Sequence, residues 1–171
     1  AFLQRQGHGW TWEGQPLLGL REIGQWLDGE VPAHFIVKPC RGAHGRSVWV
    51  VRRTADGGFE CARGTWSSGR ELAEAILADS LFDAFVVQER LTSHPALVAL
   101  TGSEALQSAR LVTYVDWQGK AHVMAAAVRL ITGEAVIDNI DWGRTGNVAL
   151  QLDPQSGGAW QAMAFVHEGR V

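Results

Sequence analysis

Apolar and polar positions alternate with two periods along the chain, and the changes of period mark the elements. Leu17, Leu20, Ile23, Trp26 and Leu27 recur at helical spacing and predict a helix over 17–27, which Gly19 and Gly24 weaken. The residues before Pro16 carry no clear period and read as loop. Two β-rich runs follow, His34 to Lys38 and Ser47 to Arg53, joined by Pro-Cys-Arg-Gly-Ala-His-Gly-Arg. Ala55-Asp56-Gly57-Gly58 is a turn, and Phe59 to Ala62 is a short return strand. Ser68 and Glu71 have capping-box spacing ahead of Leu72, Ala75, Ile76 and Leu77, which predicts a helix from about Gly69 to Asp79.

Phe85 to Leu91 reads as a buried strand leaving the core, and His94 to Leu100 as a short helix. Arg110 to Asp116 and Lys120 to Ile131 are strong β runs around Trp117-Gln118-Gly119, a hairpin. Asn147 to Leu152 and Ala159 to Phe165 form a further pair. The pattern therefore predicts an α+β fold of antiparallel hairpins with flanking helices.

Composition narrows the function. About 46% of the 171 residues are apolar, and 15 basic against 18 acidic residues give a formal charge of −3. That describes one soluble domain, or at most one and a half. It lacks the basic excess needed for non-specific binding to nucleic acid or to an anionic membrane surface. No apolar run approaches a membrane span and no signal peptide is evident, so the chain reads as cytoplasmic. Cys40 and Cys61 have no metal or disulfide pattern and read as small buried apolar residues. The chain starts at Ala1, not Met, and this suggests a fragment.

Thirteen of the fifteen basic residues are arginine, which makes Lys38, at the end of an apolar strand, conspicuous. A compact ammonium beside a loop with Gly42 and Gly45 suits a phosphate, whose oxygens open backbone N–H groups can cradle. An ordinary hairpin with a snorkelling edge lysine fits the local pattern equally well. Val86-Val87-Gln88-Glu89-Arg90-Leu91 can present main-chain groups to an adenine edge and a carboxylate to a ribose, or can be a strand emerging into solvent.

In the hairpin, a two-residue turn at Gln118-Gly119 sets Arg110 opposite Ala127. Arg110, Val112, Tyr114, Ala125, Ala127 and Arg129 then share one face. Two arginines over two alanines leave room for an anion, although one bulge or a three-residue loop would separate them. Asp138 and Asn139 offer hard oxygen ligands, or simply build a turn. His44 and His94 are lone loop histidines. The eight tryptophans read as packing.

Read in order, Val37-Lys38-Pro39 with its glycine loop, Val87 to Leu91, Ala109 to Thr113, Val128-Arg129-Leu130, Asp138-Asn139-Ile140 and Asp141-Trp142-Gly143 resemble the ATP-grasp superfamily. The nearest branch is the sugar-transfer-associated, glutamate-ligase-like one, and the likeness runs from His34 to Asp153. The resemblance implies an ATP site between two α+β lobes. Lys38 would contact the α- and β-phosphates, and Gly42, Gly45, Arg46 and Ser47 would belong to a loop closing over them. Gln88, Glu89, Arg90 and Leu91 would form the adenine hinge, with Glu89 the polar anchor. Arg110 and Arg129 would face the γ-phosphate and the acyl phosphate, and Asn139 would be the polar residue of the loop before the last strands.

The implied reaction is ATP-dependent ligation of a carboxylate to an amine through an acyl phosphate, with Mg2+, in cell-surface polysaccharide or peptide modification. A non-catalytic nucleotide- or partner-binding module on the same scaffold is the alternative. The chain departs from the family pattern in having no Glu-x-Asn segment, only Glu168 as an acid after Asp153, and no lysine before Lys38. The implied organisation is a truncated core over 1–171, with a leading segment 1–33, a glycine-loop lobe and hinge 34–91, and second-lobe strands 92–171.

Overall fold

The computed structural model describes residues 1–42 and 45–164. Its backbone forms two antiparallel sheets with three α-helices, an α+β fold. The chain divides into two compact units, Ala1–Arg90 and Leu91–Val171.

Unit 1 holds an eight-stranded sheet. In chain order its elements are β1 (Phe2–Gln4), β2 (His8–Trp10), β3 (Pro16–Leu17), α1 (Leu20–Gly29), β4 (His34–Pro39), β5 (Trp49–Arg53), β6 (Phe59–Cys61), β7 (Gly64–Trp66), α2 (Gly69–Leu77) and β8 (Ala84–Glu89). The sheet order is β3-β2-β1-β8-β4-β5-β6-β7. Strand parity sorts the residues cleanly. Leu3, Phe35, Val37, Val51, Phe59, Phe85 and Val87 are buried against Ile23 and Leu27 of α1 and Leu72, Ala73 and Ile76 of α2. The opposite face carries Phe2, Ile36, Lys38, Val50, Val86 and Gln88, and neither helix of this unit covers it.

Two glycines let the helices approach. A Cβ on Gly69 would lie 2.3 Å from the Gly24 carbonyl oxygen, and one on Gly24 would lie 2.8 Å from the Arg70 backbone. The glycine that weakened the first predicted helix is therefore a packing requirement. The Ser68 hydroxyl accepts from the Glu71 N–H, as its spacing predicts, but the Glu71 carboxylate accepts from Ser67, one residue earlier than a capping box demands.

The segment before Pro16 is not loop. β1 lies between β2 and β8, pairing Leu3 with Phe85 and burying it completely. Strands this short show no period, and tertiary pairing decides them. β7 was likewise missed. Cys40 is exposed rather than buried, while Cys61 is half-buried, and both are free thiols.

Unit 2 comprises α3 (Pro95–Thr101), β9 (Ser108–Val115), β10 (Ala121–Leu130), β11 (Val148–Leu152) and β12 (Ala159–Ala164), with sheet order β12-β11-β10-β9. Buried Ser93 and Gln107 are paired around one end of the sheet. The Ser93 hydroxyl donates to the Ala105 carbonyl and accepts from the Gln107 N–H, while the Gln107 amide bonds both main-chain groups of Ile131. Among the described residues no helix is long and apolar enough to cross a membrane.

Candidate functional site

In unit 1 the site grows from the pairing of β4 with β8. Lys38 lies opposite Val86, and Gln88 lies opposite Ile36, so the ammonium and the amide share the face turned away from α1 and α2 as diagonal neighbours. Such neighbours have Cα atoms about 7–8 Å apart. Lys38 forms no ion pair among the described residues. Glu89 lies opposite Phe35, and parity assigns it to the helix-covered side. At this end of β8 both Gln88 and Glu89 border a cavity with Trp26, Glu30 and Val31. Arg90 is half-buried, its N–H donating to the His34 carbonyl at 3.2 Å, and Leu91 is exposed at the start of unit 2.

The loop after Lys38 leaves Gly42, Gly45 and Arg46 exposed, with Gly45 at φ +71°. His44 lies outside the described residues. Ser47 differs from its loop neighbours: it is buried and sits at φ +54°, a conformation that costs a non-glycine residue about 1–3 kcal/mol. Its hydroxyl accepts from an Arg63 guanidinium nitrogen at 3.4 Å. Arg63 also lies 3.9 Å from the Asp79 carboxylate and stacks on Trp49, which in turn stacks on Trp66. Burial alone pushes Asp79 up. The Ser47 hydroxyl, the Leu81 and Phe82 N–H groups and the Arg63 guanidinium together outweigh it and hold the carboxyl below its ordinary value. The stem of the glycine loop is thus clamped to the end of α2, a contact that sequence spacing could not show.

In unit 2 the hairpin register sets Arg110 opposite Ala127, yet by an unexpected route. The turn has three residues, because the Asp116 N–H bonds the Lys120 carbonyl and Gly119 takes φ +81°. Asp116 caps it by accepting from the Gln118 and Lys120 N–H groups, and its carboxyl is held low chiefly by His122. A bulge at Met124 then restores the two-residue count. Ser108, Arg110, Val112, Ala125, Ala127 and Arg129 consequently share a face. A cavity of about 250 Å3 opens over Arg110 and the two alanines, and Arg129 does not line it.

The loop of Asp138 and Asn139 is held by residues that sequence reasoning did not single out. Buried Asn147 donates through Nδ2 to the Ile137 and Asn139 carbonyls, both at 2.8 Å, and the Thr145 hydroxyl donates to the Asn139 carbonyl at 2.7 Å. Asp138 accepts from the Ser108 hydroxyl, and Asp141 and Trp142 both have left-handed φ. The Asn139 Nδ2 is buried without a partner among the described residues. His94 caps α3 by accepting from the Ala96 N–H, a structural role.

A divalent cation finds little here. No three His, Cys, Asp or Glu residues gather among the described residues, and Asp138 is already engaged by Ser108. No curated protein and no solved structure matches the chain. A family model described as sugar-transfer associated ATP-grasp matches residues 20–170 and supports, in general terms, an ATP-dependent ligase-like function. The motif order, the two antiparallel sheets and this match agree, and the chain belongs to the sugar-transfer associated ATP-grasp family.

Proposed function

We propose that the chain carries the nucleotide-binding and acid-activating parts of an ATP-dependent carboxylate–amine ligase that works through an acyl phosphate. The observation that supports it most is the placement of Lys38 and Gln88 on one sheet face, the one turned away from α1 and α2, with the glycine loop following directly. Lys38 neutralises the α- and β-phosphates as a compact charge, and Gly42, Gly45 and Arg46 close over them from a stem fixed at Ser47. The hinge Gln88 to Leu91 holds the adenine, through main-chain groups at Glu89 and the Gln88 side chain.

Arg110 and Arg129 neutralise charge as a carboxylate oxygen attacks the γ-phosphorus and ADP leaves. An amine then attacks the acyl carbon and phosphate departs. Positioning and charge neutralisation account for most phosphoryl-transfer catalysis, so no protein nucleophile is required. Asn139 serves as a hydrogen-bond donor rather than a metal ligand, since its free buried group is the amide NH2. Magnesium, which ATP-grasp enzymes use with ATP, lacks a fitting donor set among the described residues, and no step is assigned to it. The reaction we propose is cytoplasmic, where ATP is available, and serves cell-surface polysaccharide or peptide modification, in keeping with the sugar-transfer association of the family.

The test is ATP-dependent hydroxamate formation, with hydroxylamine as trap and a panel of carboxylic acids. The expected result is ADP and hydroxamate formed together, only with an accepted acid, and lost in Arg110→Gln. ADP release that ignores every acid would refute the ligase reading. The sparse metal donors favour one alternative, a non-catalytic nucleotide-binding module, which predicts ATP binding with no ADP formed.

A further inference from the structure

Both β-bulges of unit 2 aim a large side chain at the same place. The β9–β10 ladder pairs Thr113 with Val123 and Val112 with Ala125, leaving Met124 unpaired. The β11–β12 ladder pairs Gln151 with Gln161 and Leu152 with Ala159, leaving Trp160 unpaired. A bulge gives up a ladder position and redirects a side chain, and bulges concentrate beside functional sites. Met124 and Trp160 both line the cavity of about 250 Å3 that holds Arg110. Its floor is a row across three strands, Arg110 opposite Ala127 and Ala127 opposite Gln151. A guanidinium stands at one end and a carboxamide at the other, with a methyl group between. Arg110 has no ion pair among the described residues, although charge and planarity suit it to a carboxylate.

From this we infer that the cavity seats the carboxylic acid substrate, and that the substrate is a monocyclic aromatic acid. The inference rests on the acid-activating role proposed for Arg110. The volume falls just below the roughly 300–1,000 Å3 of drug-sized sites, enough for one ring and a short arm. Trp160 and Met124 give the ring a flat indole and a polarisable thioether. Arg110 takes the carboxylate in a bidentate pair, and Gln151 accepts from a ring hydroxyl. A sugar acid of the same size brings several hydroxyls that need partners, whereas the lining offers Gln151 and otherwise mostly apolar groups.

The test is direct binding to the full chain without ATP, by ligand-observed saturation-transfer NMR. The probes are 4-hydroxybenzoate, its neutral amide and glucuronate. The acid is expected to bind at least about tenfold tighter than the amide or glucuronate, the difference one charge-assisted hydrogen-bond pair supplies. Arg110→Gln should erase the preference for acid over amide. Trp160→Ala, at an exposed position, should weaken the acid about tenfold without altering thermal unfolding. Preference for glucuronate, acid binding unchanged in both variants, or no saturable binding at millimolar concentration would overturn the inference. Because ATP is absent, acid binding in a chain that fails to bind ATP would overturn the ligase reading alone, and ATP binding without acid binding would overturn this assignment alone.

Discussion

Replacing Asn147 with alanine tests whether the loop of Asp138 and Asn139 is a built structure. The side chain is 1% exposed, and its amide nitrogen satisfies the Ile137 and Asn139 carbonyls. The Ile137 carbonyl loses its donor, at about 1–3 kcal/mol, while the Asn139 carbonyl keeps the Thr145 hydroxyl and loses one hydrogen bond of about 0.5–1.5 kcal/mol. Against this, the Asn147 Oδ1 is itself buried without a partner among the described residues, so its removal recovers about 1–3 kcal/mol. The net expectation is a loss of about 1 kcal/mol in unfolding free energy. Urea denaturation reads that loss as a lower midpoint at unchanged slope. Amide exchange should accelerate at Thr145 to Asn147 and in the loop before them, but not in β4 or β8. Asn147→Asp should be worse, since it aims a carboxylate at two carbonyl oxygens. A midpoint within about 0.5 kcal/mol of the parent, as for an ordinary surface change, would refute the reasoning.

Other contacts carry further expected outcomes. Gly69→Ala should cost about 1–3 kcal/mol by thermal unfolding, because its Cβ meets the Gly24 carbonyl and helix propensity returns less than 1 kcal/mol. Ser68→Ala should cost about 1 kcal/mol through the lost cap. Asp79 has a depressed folded-state carboxyl, so its contribution is full above the unfolded value near 3.8 and disappears as pH falls through the folded value. Urea midpoints compared from pH 6 down to pH 2 should therefore fall less steeply in Asp79→Asn than in the parent. Lys38→Arg should not restore ATP binding lost in Lys38→Ala, because a planar fork cannot replace a compact ammonium; equal affinity in Lys38→Arg and the parent would count against the phosphate role.

The sequence made strong periods and caps readable, and left most of what fixes the site hidden. The α2 cap and the helical face behind it could be read because both are local. The Arg110 to Ala127 register was right only because two departures cancelled, a three-residue turn and the Met124 bulge, neither of which leaves a composition signature. β1 escaped notice because three residues cannot show a period, and its identity comes from pairing with Phe85, more than eighty positions away. The clamp of Ser47 to Asp79 through Arg63 and the grip of Asn147 on two carbonyls are long-range or main-chain contacts. No spacing rule encodes them. Parity, once the β4–β8 register is known, moves Glu89 away from Lys38 and brings Gln88 to it.

Thermal unfolding with and without ATP shows whether Lys38 holds the phosphates of the nucleotide. At one hundred times its dissociation constant a ligand stabilises by about 2.7 kcal/mol, and the parent chain should gain roughly 5–11 °C. Lys38→Ala should lose most of that gain while unfolding at the parent temperature without ATP. No gain in the parent, or the same gain in Lys38→Ala, would contradict the account.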